Sequence, residues 1–257
     1  MIYLALPVIG FLVGLLIISL GGGGGGIYVG ILTVFFNISP SIAVSTSLAT
    51  IIPTTAIGTF SHWKAGNIRI RFGLIMISGG ILGAIVGSLF SSVFPVKLYN
   101  KLTGIVILYL SIQMLCSLLK KQKKATTKKK MEHKSNISSN FFAVVFGLIG
   151  GIMSGLVGLS GSIPIVAGLS ILGCSVLETV GTSVMVLVGI SITGFLMHLG
   201  LGSVDWKLVG LLATGTMSGA FLAPLLLKRA DKQKLEKIIQ PVLLIMTISI
   251  GVILLFK

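Results

Sequence analysis

Not one charged side chain occurs between Met1 and Trp63, and beyond that point charge-free stretches alternate with short charged clusters. The uncharged stretches are 1–63, 72–96, 102–119, 135–177, 179–204, 208–227 and 238–256. Most approach the roughly 20 apolar residues that a helix needs to cross a bilayer, and two are long enough for more than one segment. The pattern predicts five helical segments in each half. In the first half they fall at about 3–20, 27–37, 42–61, 72–93 and 98–119, and in the second at about 141–158, 162–172, 177–198, 206–227 and 237–256. The second segment of each half has only about 11 residues, too few to cross a core of roughly 30 Å at about 1.5 Å per residue. It reads as a half-helix.

A run of six glycines, Gly21 to Gly26, separates the first segment from its half-helix. Glycine costs roughly 1 kcal/mol against alanine inside a helix, so the run predicts a helix opened after Leu20. Unpaired backbone is tolerated at membrane depth only where protein or a wet cavity covers it, so the break is a candidate site.

Composition agrees with the pattern. Hydrophobic residues make up 54% of the chain, charged residues 10%, and the mean hydropathy is +1.08. These values predict an all-α polytopic membrane protein and exclude an ordinary soluble domain. Met1-Ile-Tyr-Leu has no basic n-region, so no cleaved signal peptide is expected. The net charge of +15 would suggest nucleic acid in a soluble chain. Here Lys120, Lys121, Lys123, Lys124, Lys128, Lys129, Lys130 and Lys134 gather in one linker. They are expected to face the cytoplasm and to touch anionic headgroups, with no nucleic-acid partner. Cys116 and Cys174 are isolated and read as packing residues.

The chain repeats. A shift of 136 residues aligns the halves without a gap from about Leu12 to Leu89, placing Val44, Thr46 and Ser47 on Val180, Thr182 and Ser183. Gly58, His62 and Gly66 fall on Gly194, His198 and Gly202, and Gly79, Gly83 and Ala84 on Gly215, Gly219 and Ala220. Upstream, Gly22, Gly25 and Ile27 fall on Gly158, Gly161 and Ile163. The implied organisation is an N-terminal transmembrane repeat at 1–119, a basic linker at 120–139 and a C-terminal repeat at 140–257. Each repeat has a glycine-broken first helix followed by three spanning helices. With the lysine linker inside, an odd number of crossings per half also places the basic loop 228–237 inside, which favours an inverted repeat. Lys97 and Lys101 stay outside in either arrangement.

Some features read as structural. Gly79, Gly83 and Gly87, like Gly215, Gly219 and Ala223, form stripes that let helix backbones approach closely. Trp63-Lys64 and Trp206-Lys207 read as interfacial anchors. Pro53 predicts a kink in segment 42–61.

The candidate chemistry lies at the breaks. The half-helices start beside Gly24, Gly25 and Gly26 in the first half and beside Ser160, Gly161 and Ser162 in the second. A helix start presents free N–H donors and partial positive charge, which suits an anion. Ser45, Thr46, Ser47, Thr182 and Ser183 place hydroxyls in the following segments, where they either line a polar path or bond to their own helix carbonyls. No Lys or Arg lies within a predicted span, and Glu178 is the one acid there, which argues against a carboxylate-lined cation path. His62 and His198 sit at segment ends, as proton-linked or gating groups or, the preferred reading, as caps on helix carbonyls. Glu178 is either a gate in one half or, preferably, a first-turn acid.

Taken together, the glycine-rich break, Ala43-Val44-Ser45-Thr46-Ser47, the His62-Trp-Lys-Ala-Gly-Asn67 turn and the duplicated glycine helix resemble the sulfite exporter TauE/SafE family. The resemblance covers nearly the whole chain except the linker, and the second break has drifted to Gly158-Leu-Ser-Gly161-Ser162. It implies a multi-pass permease of a prokaryotic cell membrane that handles sulfur-containing anions such as sulfite and sulfonates. The expected activity is secondary transport of a small anion by alternating access between the repeats. The alternatives are an anion channel or a non-transport membrane assembly factor. No catalytic triad, metal cluster or paired acids lie in the spans, so neither enzymatic activity nor a metal or other cofactor is expected. Homo-oligomerisation stays open.

Overall fold

The computed structural model describes residues 2–93, 136–158, 160–199 and 203–229, with isolated positions at 101, 105, 108, 109, 112, 115, 245, 248 and 252. Apart from those positions, the expected segments 98–119 and 237–256, the linker lysines and Cys116 lie outside the described residues. So do Lys97, Gly202 and most of loop 228–237.

Among the described residues, eight helices with continuous ranges follow one another: α1 (Ile2–Ser19), α2 (Gly25–Phe35), α3 (Pro40–Lys64), α4 (Ile70–Val93), α5 (Asn136–Val157), α6 (Ser162–Ile171), α7 (Val176–His198) and α8 (Trp206–Arg229). Among the described residues, five of them, α3, α4, α5, α7 and α8, are long and apolar enough to cross a membrane. Most boundaries lie within a few residues of the pattern-based expectation. α5 is the exception, starting at Asn136 inside the range assigned to the linker. α3 runs through Pro53 as one helix.

Local chemistry sets the starts of α7 and α8. Ser175 and Glu178 form a capping box: Ser175 Oγ accepts from the Glu178 N–H at 3.3 Å and Glu178 Oε2 accepts from the Ser175 N–H at 2.8 Å. Asp205 Oδ1 accepts from the N–H groups of Lys207 and Leu208, both at 3.1 Å, and so caps α8.

The missing glycine side chains then decide which helices meet. Gly79, Gly83 and Gly87 of α4 lie against the backbone at Val144, Leu148 and Ile152 of α5, and Gly147, Gly151 and Gly155 return the contact at Met76, Gly80 and Ala84. α1 and α8 interlock likewise, Gly10 and Gly14 meeting Leu212 and Thr216 while Gly215 and Gly219 meet Pro7 and Phe11. In both pairs residue numbers rise together, so each pair is parallel. α3 and α7 instead pair Leu48 with Gly194, Gly58 with Val184 and His62 with Gly181, which makes them antiparallel. α3 runs parallel to α8, with Thr54 beside Thr216 and Ser61 bonded to Phe221. α4 runs parallel to α7, with Ile77 on Gly189 and Gly80 on Ile190. Thus α1, α3 and α8 point one way and α4, α5 and α7 the other. Because α1 and α3 share a direction, the break and α2 must carry the chain back between them.

These directions gather the basic ends. Lys64, Arg69 and Arg71, the start of α5 and the end of α8 share one end of the molecule, and Arg71 Nη2 donates to Asn140 Oδ1 at 3.2 Å. The opposite end carries Trp206 and Lys207, and both tryptophans, Trp63 and Trp206, are exposed.

Two expectations need correction. Only Gly21–Gly24 leave the helix; Gly25 and Gly26 belong to α2. A first turn needs no N–H partner four residues back, so glycine is no obstacle there. The ungapped 136-residue register also fails at the breaks. Left-handed backbone at Gly21 (φ 76°) and Gly24 (φ 78°) matches Gly158 (φ 68°) and Gly161 (φ 58°), a shift of 137. α2 has 11 residues and α6 has 10, which restores 136 from α3 onward.

Candidate functional site

The two breaks meet at the centre of the bundle. The Gly23 N–H donates to Ser160 Oγ at 3.3 Å, a buried bond that joins one half to the other. Gly25, the first residue of α2, packs directly on the Gly158 carbonyl and the Ser160 N–H. Ile51 of α3 and Leu187 of α7 close over Gly23 from the sides. Gly24 and Gly161 are the left-handed N-caps of α2 and α6, and neither helix start has a side-chain cap. Gly26 follows in the first turn of α2, and Ser162 opens α6, its Oγ near Gly22. Two helix N-termini thus converge on one buried region with their amides uncapped by side chains, a positively polarised pair with no Lys, Arg, Asp or Glu among these contacts.

Each break is also gripped by the third helix of the other half. Gly21 rests on Val180 and Ser183 of α7, and Ser183 Oγ donates to the Gly21 carbonyl at 2.7 Å. Gly158 rests on Val44 of α3. Ser47, the counterpart of Ser183, lies one turn from Val44, is fully buried, and has no hydrogen-bond partner. The two sides of the site therefore differ at this hydroxyl.

Other expected site residues do different work. Thr46 Oγ1 accepts from the Asp205 N–H at 3.1 Å, and Thr182 Oγ1 accepts from the Arg69 N–H at 2.9 Å. Each repeat thereby latches the loop that follows the other repeat's third helix, and neither threonine reaches the breaks by these bonds. Ser45 Oγ donates to the Ser41 carbonyl of its own helix at 3.1 Å. His62 is fully buried beside Gly181. His198 Nδ1 lies 2.9 Å from the Gly194 carbonyl four residues back, with Ser88 Oγ at 3.4 Å and Ser91 Oγ near Nε2 at 3.5 Å.

Glu178 stays at the rim, in the capping box and in an ion pair with Arg69 at 2.7 Å. The Arg69 side chain is 59% exposed and that of Glu178 25%, so water screens the pair. Arg69→Gln is expected to change stability by no more than about 1 kcal/mol. A thermal melt in detergent measures this, and a large drop would mark the pair as structural. Nearby, burial and then Glu178 push the Cys174 thiol up to about 11, partly opposed by Arg69, so it is a packing group at neutral pH.

Sequence reasoning missed several of these groups. The Ser175-x-x-Glu178 spacing was a legible capping signal. The Thr54–Thr216 hydroxyl pair, 2.6 Å apart between α3 and α8, had no such signal, and neither did the buried Ser154 and Ser191. Among the described residues no group of three or more His, Cys, Asp and Glu is placed to hold a metal ion.

A bundle of parallel and antiparallel apolar helices around apposed helix breaks defines a class, the polytopic α-helical membrane proteins. The particular family follows from comparison: a profile described as Sulfite exporter TauE/SafE matches residues 6–250, and the chain belongs to that family. It is 30% identical over 213 residues to the probable membrane transporter protein YdhB of Bacillus subtilis (strain 168), covering 82% of this chain and 85% of that protein. Two further proteins of that organism are similar. YjnA is 23% identical over 92% of this chain and 94% of its own length, and YtnM is 29% identical over 77% and 66%; both are described as probable membrane transporter proteins. No solved structure matches the chain. It is a multi-pass membrane transporter of the cell membrane.

Proposed function

We propose that the chain moves a small sulfur-containing anion, sulfite or an organosulfonate, by alternating access between its two repeats. The observation that carries this reading is the meeting of α2 and α6 at their N-termini, joined by Gly23 and Ser160 in a buried region without charged side chains. Backbone amides and helix dipoles hold oxyanions without a counter-charge, and such a site releases its ligand readily. The anion would lie among Gly24, Gly25, Ser160, Gly161 and Ser162, with Ser47 and Ser183 on either flank. Thr46 and Thr182 would act through the loop latches.

The repeats would form an inverted pair. Repeat-matched helices (α1 and α5, α3 and α7, α4 and α8) point in opposite directions, and the basic ends collect on one side, as a cytoplasmic face requires. Rocking one repeat against the other would part the breaks toward one side at a time.

Flux in proteoliposomes tests the proposal, with sulfite, sulfate, thiosulfate, sulfoacetate and taurine offered with and without a pH gradient. Saturable uptake of a sulfur anion with counterflow exchange is expected. Uptake without counterflow would make the protein a channel, and no uptake of any of these anions would remove the proposed substrate class.

A further inference from the structure

The two sides of the break region are lined differently, and the difference has a direction. Several buried hydroxyls in this bundle bond back to the carbonyl four residues earlier: Ser45 to Ser41, Thr50 to Thr46, Thr54 to Thr50 and Thr55 to Ile51. Ser47, Ser154 and Ser191 are fully buried and make no hydrogen bond. An unsatisfied buried hydroxyl is costly and calls for an explanation.

The three occupy neighbouring levels. Ser154 lies one turn before Gly158, whose N–H bonds to the Ser154 carbonyl at 2.8 Å. Its Oγ faces Gly194 of α7, one turn beyond Ser191 on the same face. Leu48, next to Ser47, covers Gly194 from α3. A Cβ added at Gly194 would find Leu48 at 3.5 Å and Ser154 Oγ at 3.9 Å, ordinary contacts. At most interhelical glycines of this bundle it would overlap backbone. Four residues beyond Gly194, His198 meets Ser88 at the end of the molecule opposite the basic loops. The matched positions in the other direction offer no unpaired hydroxyl, since Ser183 Oγ donates to the Gly21 carbonyl. Ile17 stands where Ser154 stands, Thr55 bonds to its own helix, and Gly58 is packed by Ile18 and Val184.

We infer that Ser191, Ser154 and Ser47 line an access route by which an oxyanion passes between the central breaks and the end marked by His198 and Ser88, whereas at the matched level the opposite side is closed by Ile17, Ile18 and Val184. This inference rests on the anion-transport reading. Hydroxyls unpaired in the closed packing have free donors for oxyanion oxygens when the helices part. Gly194 leaves room for that parting.

Cysteine labelling in the full chain tests it. Ser154→Cys, Ser191→Cys and the matched Ile17→Cys and Thr55→Cys are exposed in right-side-out vesicles to sulfonatoethyl methanethiosulfonate, an impermeant sulfonate, with Lys207→Cys as a surface control. Modification is read at each site by mass spectrometry. The expected result is modification at positions 154 and 191, slowed by sulfoacetate and accompanied by loss of flux, and none at 17 and 55. Positions 154 and 191 unmodified while 207 reacts, or all four interior positions modified alike, would overturn the route. Modification that sulfoacetate does not slow would overturn the anion's place in it. Flux of the unsubstituted chain is measured in parallel; absent flux with the expected labelling pattern fails the transport reading and leaves the route standing.

Discussion

Gly25→Leu is expected to abolish anion flux while the protein still inserts in the membrane. A Cβ at Gly25 would overlap the Gly158 carbonyl and crowd the Ser160 amide, so any side chain there forces the two breaks apart. Backbone cannot yield as a flexible side chain does, and overpacked sites commonly cost about 1–3 kcal/mol before function is considered. The functional cost is larger, because the displaced atoms are the ones proposed to hold the anion. Gly25→Ala should act in the same direction with a smaller loss. Gly210→Leu is the control, since nothing lies within 4 Å of a Cβ there. Proteoliposome flux at matched protein content is the measurement, and normal transport by Gly25→Leu would remove the breaks from the mechanism.

Gly83→Val should produce a large loss of stability. The α4–α5 contact is backbone on backbone: Gly83 seats on the Leu148 carbonyl and the Ile152 amide, while Gly151 seats on Gly80. In lipid there is no hydrophobic drive to bring helices together, so this close packing is itself the attraction. A branched side chain separates the helices along several turns, with an expected cost at or above the upper end of about 1–3 kcal/mol. Thermal unfolding in detergent should show a clear drop for Gly83→Val and none for Gly210→Leu. Equal melting temperatures would mean that the α4–α5 interface carries little of the fold.

Hydropathy and glycine position made much of the fold legible. Segments 72–93 and 177–198 came within two residues of α4 and α7, because a span's length is set by the bilayer and its ends by the first charged or polar residues. The half-helices were legible too, since a run of about 11 apolar residues cannot cross. The glycine stripe at Gly79, Gly83 and Gly87 read correctly as packing, though its partner did not. The repeat register went wrong by one residue at the breaks. Six interchangeable glycines offer no side chain to fix an alignment, and only the φ angles at Gly21, Gly24, Gly158 and Gly161 do so.

The site was legible only in outline. Ser160 was singled out for its place beside Gly161, but its bond to Gly23 depends on two breaks distant in sequence meeting. Thr46 and Thr182 looked like lining residues, yet their hydroxyls accept from loop amides of the opposite repeat. Ser154 and Ser191 passed unnoticed because a lone serine in an apolar helix usually bonds to its own backbone.

By itself the sequence determined that this chain lies in a membrane, that its sequence matches itself at a shift of about 136 residues, and that each half opens a helix at glycine. Those follow from properties local to the chain: the length of apolar runs, the charge between them, and the missing Cβ. The tertiary structure alone decided which helices run parallel, which hydroxyls find partners and which do not, and that the two breaks face each other. Such facts depend on how each helix is rotated and directed against its neighbours, which is set by glycine-to-backbone packing between residues far apart in sequence.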